Sequence, residues 1–377
     1  MKLILSVEAL TPELTGIGRY TWELAKRLPH AADIEGVRFF RNGRWVDNPE
    51  VLLAATKAPA AEPQSNHPRT GFKSPRWLKQ WTLKRACRGQ VFHGPNYFLP
   101  TCADLGVVTV HDLSVFKFPE THPVERIRQF ERDFTRSVKQ AAHLITDSEA
   151  TRQEVIAFLS WPKENITAVP LGVSAAFSPC TAVKTTPVLQ RHQLLHASYA
   201  LCVSTLEPRK NIARLLQAYR MLPAALRRQY PLVVAGGRGW LSETLHSEMD
   251  RCAAEGWFHY LGFVPESELP LLLAGARVFV YPSAYEGFGL PVLEAMASGV
   301  PVVCSNRSSL PEVTQGAVRL VDPDDVESLS KAIEAGLCDE TWRAGAGVAG
   351  LSVAQSYSWG KCAEETVAVY RRAYLAG

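Results

Sequence analysis

The stretch YEGFGLPVLEAMASGVPVV, residues 285–303, carries the signals of a helix that is set between two strands. Pro291 suits the first turn of a helix, where its missing N–H costs nothing, and Gly299 suits the left-handed residue that ends one. A helix is therefore expected from about 290 to 298. The apolar run ARVFVYPS, residues 276–283, precedes it and another apolar run follows, so this part of the chain predicts a strand, a helix and a strand of a parallel sheet.

The same alternation of short strands and longer helical patterns extends along the whole chain, which is typical of α/β folds with doubly wound sheets. The first half contains four predicted strands: KLILSV at 2–7, VVTVHD at 107–112, HLITDS at 143–148 and ITAVPLG at 166–172. The second half contains four more: YALCVST at 199–205, PLVVAGG at 231–237, FHYLGFV at 258–264 and PVVCSN at 301–306. Two Rossmann-like domains that face a cleft are the predicted architecture.

The length of 377 residues exceeds what one hydrophobic core usually fills, so the chain is expected to divide. Residues 177–193 are polar, contain prolines and show no sustained period, which favours an interdomain linker. The predicted domains are an acceptor-binding domain at 1–177 and a nucleotide-sugar-binding domain at 194–356. Residues 357–377 are helical by period, and we expect this C-terminal helix to pack back toward the first domain.

Composition excludes several classes of protein. A net charge of +4 is too small to indicate a nucleic-acid partner, and no apolar run reaches the roughly 18 residues of a membrane span. Eight cysteines are scattered without a CxxC pair, which favours reduced thiols and a cytoplasmic protein.

Two acids, Glu286 and Glu294, lie at the start of the predicted helix. Before this helix, a glycine-containing segment aims free amides at a ligand, and a helix amino end of this type binds phosphate. The residues that supply this backbone are Gly287, Phe288, Gly289 and Leu290. Carboxylates repel a phosphate but accept hydrogen bonds from hydroxyl groups, so a nucleoside diphosphate sugar would satisfy both features. Taken alone, the acids could equally favour the helix dipole and solvate a loop.

Further candidates follow other predicted strands, at the edge where parallel sheets bind ligands. Arg209 and Lys210 could neutralise a diphosphate and its growing charge as a leaving group, or could form a solvated loop pair. A lone histidine such as His111 is more often structural, and His93 is expected to be structural. The remaining candidates for substrate binding are Gly16, Gly18, Arg19, Ser204 and Thr205.

Four separated motifs, GIGRY at 16–20, TVHDLS at 109–114, STLEPRKN at 204–211 and YEGFGLPVLEA at 285–295, resemble those of the retaining glycosyltransferases of family 4. This family has the two-domain GT-B fold. The motifs occur in the family's order, and the resemblance covers nearly the whole chain.

The resemblance implies a role for each matching residue. Glu286 would contact hydroxyls of the transferred sugar, Glu294 the ribose, Lys210 the diphosphate, and His111 would lie near the donor sugar. Many members carry an arginine where this chain has Thr205, and Arg209 is expected to supply that charge. The catalytic candidates are thus Glu286, Lys210, Arg209 and His111.

The GIGRY and EPRKN forms are similar to those of bacterial mannosyltransferases that build surface polysaccharides. The resemblance therefore implies a hexosyltransferase that takes GDP-mannose, needs no metal or other cofactor, and acts on a glycan or lipid-linked acceptor in synthesis of polysaccharide such as lipopolysaccharide O antigen. Alternatives are a nucleotide-sugar epimerase or a glycan phosphorylase on a similar fold, or a protein that binds nucleotide sugar without turnover.

Two charged segments allow more than one interpretation. DPDD at 322–325 resembles a metal-binding acidic pair, but a helical pattern follows it, so Asp324 or Asp325 as a helix cap explains it better. Residues 69–88 contain seven cations, two tryptophans and no acid. This segment predicts either peripheral contact with an anionic membrane or a solvated basic helix whose tryptophans pack on the core.

Overall fold

The computed structural model describes residues 1–54, 76–121, 124–237, 239 and 243–376. Its first sheet has the strand order β3-β2-β1-β4-β5-β6-β7 and is parallel except for β3. The strands are β1 Lys2–Ser6, β2 Gly36–Arg41, β3 Arg44–Val46, β4 Val91–Gly94, β5 Leu105–Val110, β6 Ala141–Thr146 and β7 Ile166–Ala168. The helices of this half are α1 Gly16–Arg27, α2 Val51–Ala54, α3 Arg76–Cys87, α4 Ser114–Lys117, α5 Val124–Gln140 and α6 Glu149–Leu159.

The second sheet is parallel throughout and has the order β10-β9-β8-β11-β12-β13. Its strands are β8 Ala200–Val203, β9 Leu232–Ala235, β10 Phe258–Gly262, β11 Val278–Tyr281, β12 Val302–Ser305 and β13 Arg319–Val321. The helices from residue 182 onward are α7 Ala182–Arg191, α8 Ile212–Arg220, α9 Ala224–Gln229, α10 Glu243–Ala254, α11 Leu269–Ala274, α12 Leu290–Ala297, α13 Leu310–Thr314, α14 Val326–Cys338, α15 Glu340–Ala354 and α16 Trp359–Ala376. Two parallel sheets with alternating helices confirm the predicted α/β class.

Helix α12 lies where the opening stretch predicted it. Gly289 precedes it with a φ of 104° and Gly299 follows it with a φ of 72°, both in the left-handed region that favours glycine. Leu293, Ala295 and Met296 are fully buried. Apart from Glu294 the helix is apolar, because it is packed between its sheet and α15.

The expectation of irregular structure at 177–193 was wrong, because this segment contains α7. Val188 and Leu189 are buried, and Leu189 packs against Gly275 at the end of α11. Pro187 lies inside the helix, and the apolar Val183 is exposed on its outer side. The proline and the short apolar face hid the helical period from the sequence pattern.

Helix α16 packs against α1 and the strands β4, β5 and β6 of the first sheet. The hydroxyl of Tyr370 lies 2.6 Å from Nδ1 of His93, whose Nε2 lies 2.8 Å from Thr109. Burial lowers the pKa of His93 to about 3, so its ring is neutral. His93 is therefore a structural residue that anchors α16. The domain boundaries proposed from the sequence stay predictions.

Candidate active site

The site lies where both sheets reverse their strand order, between β1 and β4 in the first and between β8 and β11 in the second. Ligands of open α/β sheets bind outside the carboxyl ends of strands at such points, because the flanking loops diverge there. A cavity of about 1400 Å³ lies between the two sheets. All the sequence-predicted site residues except Gly18 and Glu294 line it.

Glu286 is the centre of a buried charged cluster. Its Oε1 accepts a hydrogen bond of 2.5 Å from Lys210 Nζ and one of 2.9 Å from the hydroxyl of Tyr281, the last residue of β11. Burial alone would raise the pKa of Glu286, but the cations of Lys210 and Arg209 outweigh it and lower the pKa to about 2. Glu286 is therefore an ionised hydrogen-bond acceptor across the physiological pH range.

Arg209 joins the same cluster from the loop after β8. Its Nη1 lies 3.4 Å from Oε2 of Glu286, and its Nε donates a hydrogen bond of 3.0 Å to Glu207. Glu207 also accepts a hydrogen bond of 2.8 Å from the hydroxyl of Thr205. The two cations thus face two acids, Glu207 and Glu286, in this described cluster.

The backbone before α12 supplies a second anion-binding feature. Among the described residues, no acceptor is found for the amides of Gly287, Phe288, Gly289 and Leu290. These residues line the cavity, and the positive end of the helix dipole is directed toward it. Gly287 has no room for a side chain, because a Cβ would lie 1.7 Å from the His111 carbonyl oxygen.

Glu294 and Arg19 pair directly across the cleft. Arg19 Nη1 donates a short hydrogen bond to Glu294 Oε1, and Arg19 Nη2 lies 3.4 Å from Glu266. Burial raises the pKa of Glu294 to about 7, although the Arg19 cation opposes this shift. Gly16 begins α1 beside Leu290, with 3.7 Å between an added Cβ and the leucine side chain. The GIGRY turn and the second acid therefore belong to one site.

His111 follows β5, and both of its ring nitrogens have partners. Nδ1 lies 2.7 Å from Asp147 Oδ2, and Nε2 lies 2.8 Å from the Pro95 carbonyl oxygen. A carbonyl only accepts, so Nε2 carries a proton. Burial lowers the pKa of His111, but the Asp147 carboxylate outweighs it and the net pKa is raised. The arrangement therefore favours an imidazolium that is paired with Asp147 at the edge of the cavity.

Sequence reasoning missed several residues that the fold brings to this site, including Glu207, Tyr281 and Asp147. Tyr281 is the last residue of β11, and Asp147 directly follows β6. Their position at a strand's carboxyl end was the signal that could have identified them. Glu207 lies within the STLEPRKN motif, but no role was predicted for it.

No residue of the DPDD segment lines the cavity. Asp325 caps α14 by accepting the Ser328 amide at 2.9 Å, which confirms one of the two predicted caps. Asp322 accepts a hydrogen bond of 2.8 Å from Arg307, and Asp324 pairs with Arg214. Within the described residues, no group of three or more His, Cys, Asp and Glu side chains is arranged to hold a metal ion.

Solved structures establish the class of fold. Sucrose-phosphate synthase from Thermosynechococcus elongatus superposes with a TM-score of 0.71 at 21% identity over 100% of both chains. WaaG, a glycosyltransferase involved in lipopolysaccharide biosynthesis, gives 0.71 at 15% identity over 98% of this chain and 99% of that one. These are GT-B glycosyltransferase structures, so the predicted GT-B fold is confirmed.

Sequence relatives establish the family. Residues 14–177 match Glycosyltransferase Family 4, and residues 191–347 match Glycosyl transferases group 1. The O-antigen chain mannosyltransferase B of Escherichia coli is 41% identical over 98% of this chain and 100% of its own length. The serotype-specific mannosyltransferase WbdA of Escherichia coli is 25% identical over 99% of this chain, which spans about half (48%) of that relative. The chain belongs to glycosyltransferase family 4 and is a glycosyltransferase.

Membership of this family means that the enzyme takes a nucleotide-sugar donor and a glycan acceptor. Among the described helices, none is both long and apolar enough to cross a lipid bilayer.

Proposed function

We propose that this enzyme transfers mannose from GDP-mannose to a growing O-antigen glycan, with retention of configuration and without a metal ion. The observation that carries the proposal is the cluster of Glu286, Lys210 and Arg209 beside the free amides before α12. The likeness to mannosyltransferases that act on O antigen, above all the relative with 41% identity, supports the choice of sugar and acceptor.

The donor diphosphate lies, in this proposal, between the amino end of α12 and the two cations of the cluster. Glu207 and Glu286 already balance Arg209 and Lys210, so the amides at 287–290 carry much of the added negative charge. Glu294 lies behind Arg19, which lines the cavity, so the ribose hydroxyls donate to Glu294 once its carboxylate is shared between Arg19 and the ribose. Ser204 and Thr205 line the same wall of the cavity.

The transferred hexose lies next to Glu286, whose ionised carboxylate accepts hydrogen bonds from its hydroxyls. As the glycosidic bond breaks, charge grows on the diphosphate and is met by Lys210, Arg209 and the end of α12. The motifs contain no obvious nucleophile, so the acceptor hydroxyl attacks from the face that the diphosphate leaves, and its proton passes to the departing diphosphate oxygen. His111, as an imidazolium, adds positive charge at the edge of this region.

The acceptor glycan lies against the first domain. Phe98 and the α5 residue Phe130 are half-buried, line the cavity, and have ring centroids 5.3 Å apart. Gln129 and Asp133 of the same helix line the cavity beside them. An apolar ring surface with hydrogen-bonding side chains next to it suits a sugar, whose ring has apolar faces and hydroxyl edges.

A thermal-shift panel tests the donor. GDP-mannose is expected to raise the melting temperature more than UDP-glucose or dTDP-rhamnose at equal concentration, because a ligand stabilises the folded state by mass action. Transfer of mannose to an O-antigen fragment is then expected to persist in excess EDTA, since protein cations and a helix end replace a divalent ion. Stabilisation by another donor alone would refute the GDP-mannose assignment, and full loss of activity in EDTA with rescue by manganese would refute metal independence.

Membrane contact through the basic segment at 69–88 is also part of the proposal. Residues 69–75, and the side chains of residues 76–79 with Trp77 and Lys79 among them, lie outside the described part of the chain. Within α3, Trp81 is 54% exposed, and Lys84 and Arg85 are exposed near it. The alternative, a solvated basic helix, required the tryptophans to pack on the core. The exposure of Trp81 does not fit that alternative. Exposed cations next to an aromatic ring suit an anionic lipid surface, where each cation contributes about 1 kcal/mol.

Vesicle cosedimentation tests this contact. The protein is expected to bind vesicles rich in anionic lipid at low salt, and Lys84→Glu with Arg85→Glu should abolish most of that binding. Lys331→Glu with Lys361→Glu, on exposed lysines of the second half, is the matched control and should leave it intact. No binding by the wild type, or equal loss in both pairs, would contradict a specific role for α3.

A further inference from the structure

The loop that carries Glu286 is held from both domains. From its own domain, Ser309 Oγ donates to the carbonyls of Glu286 and Phe288, both at 3.0 Å. The amide of Glu286 donates to Ser308 at 2.8 Å. The Gly287 carbonyl lies between the two carbonyls that accept from Ser309, and it has a different partner.

That partner is the first turn of α6 in the opposite domain. Ser148 Oγ donates to the Gly287 carbonyl at 2.7 Å, and Thr151 Oγ1 donates to it at 3.1 Å. Both hydroxyl residues are fully or almost fully buried. Ser148 also caps α6 by accepting the Thr151 amide at 3.1 Å. The amino end of α6 and the loop that carries Glu286 therefore meet at the Gly287 carbonyl oxygen.

Glu312 fixes the same turn from the second domain. Its two carboxylate oxygens accept the amides of Glu149 and Ala150 at 2.8 and 2.9 Å. A carboxylate at a helix amino end satisfies amides that have no partner within the helix and complements its dipole. Glu312 thus ties α13 to α6 beside the contact with Gly287, and the two contacts reinforce each other.

The geometry of the peptide units explains why this contact matters for the reaction. A carbonyl and the amide that follows it point in opposite directions within one rigid plane. When Ser148 and Thr151 hold the Gly287 carbonyl, the Phe288 amide is directed away from α6. The same bonds fix the backbone beside Glu286, so the orientation of its carboxylate depends on the docked α6.

We infer that Ser148 and Thr151 are positioning residues for sugar transfer, which align the Glu286 loop only when the two domains are docked, and that Glu312 holds their turn in place. The inference rests on the proposed role of Glu286. None of the three side chains lines the cavity, so they act through Gly287 and not through the donor.

Steady-state kinetics and GDP binding test this role together. Thr151→Val removes the hydroxyl and keeps the shape of the side chain, and Ser148→Ala removes the second donor. The double variant is expected to lose on the order of 10- to 100-fold in kcat, the size of effect that a small misplacement of a catalytic group produces. The dissociation constant of GDP, measured by calorimetry, should rise by less than about 5-fold, because the Phe288 amide is only one of several diphosphate contacts and Lys210 and Arg209 are unchanged.

Three further variants separate positioning from general damage. Thr151→Ser keeps the hydroxyl and should restore kcat, whereas Glu312→Gln should lower kcat less than the double variant because its amide oxygen still accepts one hydrogen bond. Thr366→Val is the matched control, since Thr366 is also buried and, within the described residues, its hydroxyl donates to the Cys362 carbonyl of its own helix.

Two results would overturn the inference: wild-type kcat in the double variant, or a kcat that falls in Thr151→Val and in Thr151→Ser alike. If the double variant does not fold, the comparison of these two single variants decides. Failure of the proposed function is a separate outcome, because the wild type itself would then show no GDP binding and no mannosyl transfer.

Discussion

Replacing Lys210 by alanine is expected to lower kcat/KM by on the order of 100-fold or more. Lys210 Nζ lies 2.5 Å from Glu286 and 3.0 Å from the Tyr281 hydroxyl, at a buried position beside the proposed diphosphate site. In such a site a cation stabilises leaving-group charge far better than it would in water. Transfer kinetics with GDP-mannose measure the effect.

Lys26→Ala is the control for Lys210→Ala, because Lys26 also pairs with a glutamate, Glu23 at 2.8 Å, but lies on α1 outside the cavity. Its kcat/KM should stay near the wild-type value. Melting curves of both variants are needed, since removal of one partner of a buried ion pair also destabilises the fold. A folded Lys210→Ala enzyme with less than a 5-fold loss of kcat/KM would contradict this role.

Glu286→Ala is expected to lower kcat by on the order of 100-fold while GDP binds as tightly as before or more tightly. The structure explains why GDP binding should not weaken. Glu286 pairs with both Lys210 and Arg209, so after its removal only Glu207 balances the two cations and more positive charge faces the diphosphate. Separate measurement of kcat and of the GDP dissociation constant checks both parts.

Glu294→Ala should behave in the opposite way. It should weaken binding of the nucleotide-sugar donor and change kcat less, because the proposed partner of Glu294 is the ribose. Glu327→Ala, at an exposed pair with Lys331, is the neutral control. Equal and small effects of the two active-site changes, under about 0.5 kcal/mol each, would refute the division of roles. Weaker GDP binding in Glu286→Ala would show that this carboxylate helps the diphosphate instead of competing with it.

Local signals in the chain were sufficient for the architecture. Alternating apolar runs predicted eight strands besides β11, and Pro291 with Gly299 predicted the bounds of α12 to within one residue. The short or polar strands β2, β3, β4 and β13 were not predicted. Helix α7 was missed because its apolar face is short and interrupted by Pro187.

The sequence predicted the residues of the site but not the ion pairs between them. Glu286, Lys210, Arg209 and Glu294 were singled out because strand ends and a helix amino end collect ligands in this kind of sheet. Their roles toward a donor stay predictions. The pairing of Glu286 with both cations was not foreseen, because a sequence shows which charges occur near a cleft but not which of them neutralise each other.

The sequence by itself determined the two-sheet fold, the family and the loops that carry the site, because these depend on periodicity and on turn residues that act within a few positions. Only the tertiary structure decided which distant side chains meet. Arg19 pairs with Glu294 across 275 positions of the chain, and Ser148 reaches the Gly287 carbonyl across 139. Such contacts depend on how the two sheets are packed, and the long-range packing of buried polar groups leaves no periodic signal in the chain.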